Sequence, residues 1–268
     1  MNAETGHHGG IPFVRFGDGG ETIVVISGGD AFVRRFDAAT AARRAERIVR
    51  LFPAGNTICI LGYDVSAQCD AAAIASSIAR VIRENFSSVT LAGISFGGLV
   101  ATRVAAAHPE LVRNLILLST AHRFSDEGRR RVRQQMADAA RGDFVAMAKP
   151  FLVLFRRPWL NAMLRLAIWS RRHKLAATMN DPRFIVCMLE AALAAGEGGR
   201  EHLRRITART LLVAGTHDQF FDETAVRETA DSIPQAQLVL FPKETHMLPL
   251  ERPPLVTNAV ATFLRSGF

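Results

Sequence analysis

With 268 residues, 49% of them hydrophobic and 22% charged, the chain is long enough to bury a large core and too apolar to be disordered. Its formal charge is +8, unevenly spread: residues 121–209 carry 18 Lys and Arg against 8 Asp and Glu, leaving 15 against 17 elsewhere. No zinc-finger, RNP-like or basic-zipper pattern accompanies that excess, which argues against a nucleic-acid reader, and no apolar run of about 18 residues marks a membrane span.

The opening MNAETGHHGG has no basic segment followed by an apolar one, so no secretory signal is read there and a cytoplasmic protein is expected. It reads as a flexible polar end, and His7 and His8 lack the further ligands a metal would need. Cys59, Cys69 and Cys187 are odd in number and form no C-x-x-C pair, which predicts reduced structural thiols, a reactive thiol being the alternative.

ETIVVISGG (21–29) reads as a short buried strand ending in glycines, and NTICILGYD (56–64) repeats the form. Between them DAATAARRAERIVRLF has helical spacing, with Ile48, Val49, Leu51 and Phe52 turned to a core. CDAAAIASSIARVIRENF predicts a second helix capped by Asp70, SVTLAGI a strand, GGLVATRVAAAHP a helix and NLILLST another strand. Strands that are apolar throughout, alternating with helices, predict a parallel sheet covered on both faces. From His122 to Ala208 the alternation gives way to an Arg-rich, mostly helical stretch. ARTLLVAGTHDQFF, DETAVRETADSI, AQLVLFPKETHM and PPLVTNAVATFLRSGF then restore strand, helix, strand and helix. The expected organisation is a core of residues 1–121 and 209–268 interrupted by a helical insertion at 122–208.

Chemistry enters at Gly93-Ile94-Ser95-Phe96-Gly97. G-x-S-x-G alone arises by chance, and Ser95 could be a mere turn residue. Here the motif closes a strand and opens a helix, the position of a nucleophile elbow. A serine hydroxyl needs a base, and the base an orienting acid. Asp218, just past TLLVAG, and His246, just past AQLVLFP, should emerge at the same sheet edge as Ser95, in the order Ser, Asp, His. Asp218 could instead cap the next helix, but Asp222 is better placed for that. His217 and His122 compete with His246; His122 opens the insertion, within reach of a substrate.

These motifs, SGGD, GISFGG, GTHDQFF and THMLPLERP, resemble the α/β-hydrolase family over nearly all of the chain outside the insertion. The resemblance implies an α/β-hydrolase fold with a helical cap after the strand following the nucleophile helix, and a cofactor-free serine hydrolase. It implies attack by Ser95, general base action by His246, orientation by Asp218, and an oxyanion hole from the backbone N–H groups of Gly29 and Phe96. Serine at position 95 points away from the branches with a carboxylate nucleophile, toward an ester or thioester of a hydrophobic acyl group. A lactone or C–C bond is the alternative within the same machinery, and a weakly active binding protein the alternative outside it. Many members have His-Gly where this chain has Ser27-Gly28, and Gly-His-Gly where it has GYDVSAQCD.

The resemblance also implies that residues 122–208 form a lid, with the apolar stretch 151–169 lining its cavity or packing it down. Arg129, Arg130, Arg131, Arg133, Arg156, Arg157, Arg171, Arg172 and Lys174 are either solvated helix faces or a rim for an anionic acyl carrier or membrane surface.

Overall fold

The computed structural model describes residues 3–149 and 154–266. Eight strands form one sheet: β1 (Ala3–His8), β2 (Ile11–Phe16), β3 (Thr22–Ile26), β4 (Thr57–Leu61), β5 (Val89–Ile94), β6 (Val112–Leu118), β7 (Arg209–Gly215) and β8 (Ala236–Phe241), in spatial order β1-β2-β4-β3-β5-β6-β7-β8. From β4 to β8 every neighbouring pair is parallel, whereas β2 runs antiparallel to both β1 and β4.

Continuous apolar strands follow from burial on both faces. Ile23 and Val25 of β3 point into one core, Val24 and Ile26 into the other, and β6 and β7 split likewise, because side chains alternate along a strand. Helices α2 (Ala38–Val49) and α12 (Pro253–Arg265) cover the Ile23 side, and α3 (Ala71–Asn85) and α4 (Phe96–Ala107) the Val24 side. Leu51 and Phe52 are buried as expected, with Ile48 and Val49 half-buried beside them. Asp70 caps α3 through the N–H groups of Ala72 and Ala73, and Asp222 caps α10 (Glu223–Ser232) through that of Ala225. A four-residue helix α1 (Asp30–Val33) follows β3, and α11 (Leu248–Glu251) follows the turn after β8.

The amino terminus differs from expectation. Residues 3–8 are a strand, not a flexible end, because Gly9 and Gly10 (φ 53° and 89°) supply the left-handed pair a two-residue hairpin requires. His8 is committed to stacking on Phe13, 4.2 Å between ring centroids.

Between β6 and β7 the chain forms α5 (Asp126–Ala140), α6 (Phe144–Ala148), α7 (Pro158–Ser170), α8 (Arg172–Leu175) and α9 (Pro182–Glu197). Helix α9 buries Ile185, Met188, Leu189, Ala192 and Ala195 in the same core as α3 and α4. Part of the apolar stretch expected to line a cavity, residues 151–153, lies outside the described residues. Of the rest, Leu154 packs into the core, whereas α7 has no buried residue.

Candidate active site

Ser95 sits between β5 and α4 with φ 53° and ψ −121°, strained for a residue with a Cβ. Its N–H donates to the carbonyl of Leu118, at the end of neighbouring β6 (3.0 Å). The flanking glycines are required by close approach. A Cβ on Gly93 would lie 2.6 Å from the Gly97 oxygen, and one on Gly97 would overlap the carbonyls of Ile26 and Ser27, the latter at 2.6 Å. Thus the G-x-S-x-G spacing lets α4 fold back over the end of β5 and against the end of β3.

Asp218 and His246 meet at the ends of β7 and β8. His246 Nδ1 lies 2.9 and 3.1 Å from the two carboxylate oxygens of Asp218, whose side chain is fully buried. Since an ionised carboxylate only accepts, the neutral imidazole tautomer that fits this contact has its proton on Nδ1 and its lone pair on Nε2. Asp218 Oδ1 also accepts from the N–H groups of Phe220 (2.8 Å) and Phe221 (3.0 Å), which fixes its orientation. The rings of Phe220 and Phe221 stand 4.8 and 5.9 Å from that of His246 and shield the pair from water. Gly215 allows the meeting, because a side chain there would overlap the Glu244 carbonyl in the turn carrying His246. Parallel pairing from β5 to β8 brings Ser95, Asp218 and His246 to one carboxyl edge. Among the described residues no hydrogen bond joins the Ser95 hydroxyl to His246, a contact that commonly tightens only when substrate is bound.

The rival histidines are placed elsewhere. His217 is exposed. His122, expected within reach of a substrate, is buried with Nδ1 3.0 Å from Thr229 Oγ1 and Nε2 3.6 Å from Glu228, both on α10. Burial and Arg123 push its pKa down, so it serves as a neutral packing residue. Burial raises the Cys59 and Cys69 thiols to about 12, with Cys187 beside Cys69 adding to the shift there, which disfavours their thiolates.

Gly29 and Phe96 are the start of α1 and of α4, so their N–H groups have no acceptor within their own helices. The two starts lie together, since a Cβ on Gly28 would lie 3.4 Å from that of Ser95. Two residues that sequence reasoning missed hold this arrangement. The Tyr63 hydroxyl donates to the Ser27 carbonyl, and its ring packs 5.8 Å from Phe32 and 5.5 Å from Phe96, themselves 5.5 Å apart. Burial raises the phenol pKa well above its usual value, so it remains a donor. Asn180, before α9, donates from Nδ2 to the carbonyls of Phe32 (2.8 Å) and Arg34 (3.0 Å) and from its N–H to Val33 (2.9 Å). It therefore ties the segment between β6 and β7 to α1. The sequence signal was faint: one tyrosine in the GYDVSAQCD stretch that departs from the family pattern.

Three comparisons bear on this geometry. A family model described as serine aminopeptidase, S33, matches residues 66–253. A pimeloyl-[acyl-carrier protein] methyl ester esterase of Aliivibrio fischeri is 29% identical over 126 residues, which span 43% of this chain and 49% of that enzyme. The chain thus spans about half the length of that curated relative. Among solved structures, a meta-cleavage product hydrolase of Pseudomonas fluorescens superposes with TM-score 0.76 at 14% identity, covering 98% of this chain and 97% of that one. The enol-lactonase of Burkholderia xenovorans gives 0.71 at 18% identity, covering 98% and 100%. At such identities the superpositions establish a shared fold.

Proposed function

Because the chain belongs to the serine aminopeptidase S33 family of α/β hydrolases, we propose that it is a serine hydrolase cleaving carboxylic esters or thioesters of hydrophobic acyl groups through Ser95, His246 and Asp218. The observation that carries this reading is the strained Ser95 at the same sheet edge as an imidazole whose Nδ1 is held 2.9 Å from a buried carboxylate. The ester class of the Aliivibrio relative supports the substrate assignment.

In this reading Ser95 Oγ attacks the acyl carbon as its proton passes to His246 Nε2. The resulting oxyanion accepts hydrogen bonds from the N–H groups of Gly29 and Phe96, donors of a kind that contribute about 3 kcal/mol each to a transition state. Asp218 stabilises the imidazolium. That imidazolium then protonates the departing alcohol or thiol as the C–O or C–S bond breaks, leaving an ester on Ser95. Water gives a proton to His246, attacks the acyl carbon, and releases the carboxylic acid as the proton returns to Ser95. In the same reading residues 122–208 are a lid, clamped by Asn180 to the helix that begins at the oxyanion donor.

The test is labelling with a fluorophosphonate and location of the adduct by mass spectrometry. Modification of Ser95 that is lost in His246→Ala supports an activated nucleophile, and hydrolysis of esters graded by acyl length then defines the substrate. A folded protein that neither labels nor hydrolyses would leave a binding protein on the hydrolase fold.

A further inference from the structure

Helix α7 has large apolar side chains where a surface helix should be polar. Leu160, Leu164 and Ile168, one turn apart, are half-buried. The remaining rows carry Trp159, Met163, Leu166 and Trp169, which are 54%, 59%, 65% and 61% exposed. At 3.6 residues per turn the first three fall within about 60° of one another, with Trp169 at their margin. Of the eight large hydrophobic side chains exposed among the described residues, four stand on this helix. Both tryptophans of the chain are among them.

The charge along this segment of chain has one sign. Residues 144–180 contain seven Lys and Arg and no Asp or Glu. Three of the four arginines of α5 are neutralised within their own helix, Arg130 and Arg131 by Glu127 and Arg129 by Asp126. By contrast, among the described residues no carboxylate pairs with Arg157, Arg171, Arg172 or Lys174 at the two ends of α7. Arg172 lies over the Trp169 ring at 4.6 Å. At the other end, a cavity of about 320 Å³ is lined by Arg156, Arg157, Pro158, Trp159, Glu251 and Arg252. Arg156 and Arg252 share the Glu244 carboxylate there, at 2.6 and 3.3 Å.

We propose that α7 docks the protein on an anionic phospholipid surface. The helix lies in the plane of the interface, its Trp159, Met163, Leu166 and Trp169 rows among the acyl chains. Arg157, Arg171, Arg172 and Lys174 then meet the phosphates, and the arginine-lined cavity takes one headgroup. Tryptophan at the margins of an apolar band and cations at its ends suit the layered polarity of a bilayer surface. Among the described residues no helix is long and apolar enough to cross a membrane, so α7 lies on the bilayer. An acidic carrier protein would satisfy the arginines yet leave the apolar rows without a matching layer, and a second copy would set two basic faces against each other. The inference goes beyond the proposed chemistry and does not depend on Ser95.

Because both tryptophans are on α7, intrinsic fluorescence reports the contact directly. The full chain is titrated with vesicles of phosphatidylcholine alone and of equimolar phosphatidylcholine and phosphatidylglycerol, with co-sedimentation in parallel. A blue shift and co-sedimentation confined to the anionic vesicles and reversed by salt are expected, and Ser95→Ala should bind as the wild type does. The double variant Met163→Gln, Leu166→Gln keeps both tryptophans and changes only exposed side chains; it should melt normally and bind about tenfold more weakly or worse. Absence of binding to anionic vesicles overturns the proposal. So does a shift produced only by an acyl-carrier protein, or a dimer in size-exclusion that the double variant abolishes without any vesicle binding.

Discussion

Replacing Tyr63 by Phe removes one oxygen and leaves a ring of nearly the same shape between Phe32 and Phe96. The Ser27 carbonyl then loses the phenolic donor in a place where the phenol is completely buried. Leaving a buried carbonyl unsatisfied costs about 1–3 kcal/mol. At about 2–3 °C per kcal/mol for a chain of this size, the melting temperature should fall by about 2–9 °C. Activity should fall further than stability implies. Ser27 is two residues from Gly29, whose N–H is the proposed oxyanion donor; losing such a donor outright costs about 100-fold or more in kcat, and loosening it about tenfold. The assay is kcat and KM for a chromogenic short-chain ester beside thermal melts. A lower kcat with KM changed by less than about twofold is expected, because the donor acts on charge that develops in the transition state. The deficit should be independent of pH, since burial keeps the phenol protonated. A variant that melts lower with unchanged kcat would confine the bond to stability, and one that matches the wild type in both would refute the reasoning.

Gly97→Ala should destabilise by about 2–4 kcal/mol in urea titrations, since its methyl group meets two backbone carbonyls that cannot swing aside. Gly19→Ala, whose Cβ meets nothing within 4 Å, should change stability by less than about 0.5 kcal/mol and serves as the control; equal effects would contradict the packing argument. His202 supplies a pH dependence. Burial, with Arg103 and Arg205 nearby, lowers its pKa from 6.5 to about 4. The unfolded chain therefore binds a proton that the folded one refuses, so this stability is complete above pH 6.5 and lost as pH falls toward 4. Allowing for partial exposure the loss is about 1–2 kcal/mol, and His202→Gln should flatten the melting curve against pH in that window. An unchanged profile would show that another group governs acid sensitivity.

What was legible in the sequence was what short-range sterics and periodicity decide. The strand, tight turn and helix around Ser95 follow from glycines two residues to either side, and the capping roles of Asp70 and Asp222 from residues within three positions. Double-sided burial wrote the parallel strands as unbroken apolar runs, and the order of Ser95, Asp218 and His246 could be read once those strands were counted. The hairpin at the amino terminus escaped because an edge strand with one wet face is polar enough to pass for a tail.

Only the tertiary structure could settle contacts made across long stretches of chain. Tyr63 reaches Ser27 because β4 lies beside β3, and Asn180 reaches Phe32, 148 residues away, because the segment between β6 and β7 folds back over α1. His122 opens the stretch after β6, a place from which it could contact substrate, yet α10 packs over it. The apolar content of α7 was plain in the sequence, but its direction was not. Trp and Leu on a helix have the same composition facing a cavity or facing outward, and only the packed neighbours determine which rows are left uncovered.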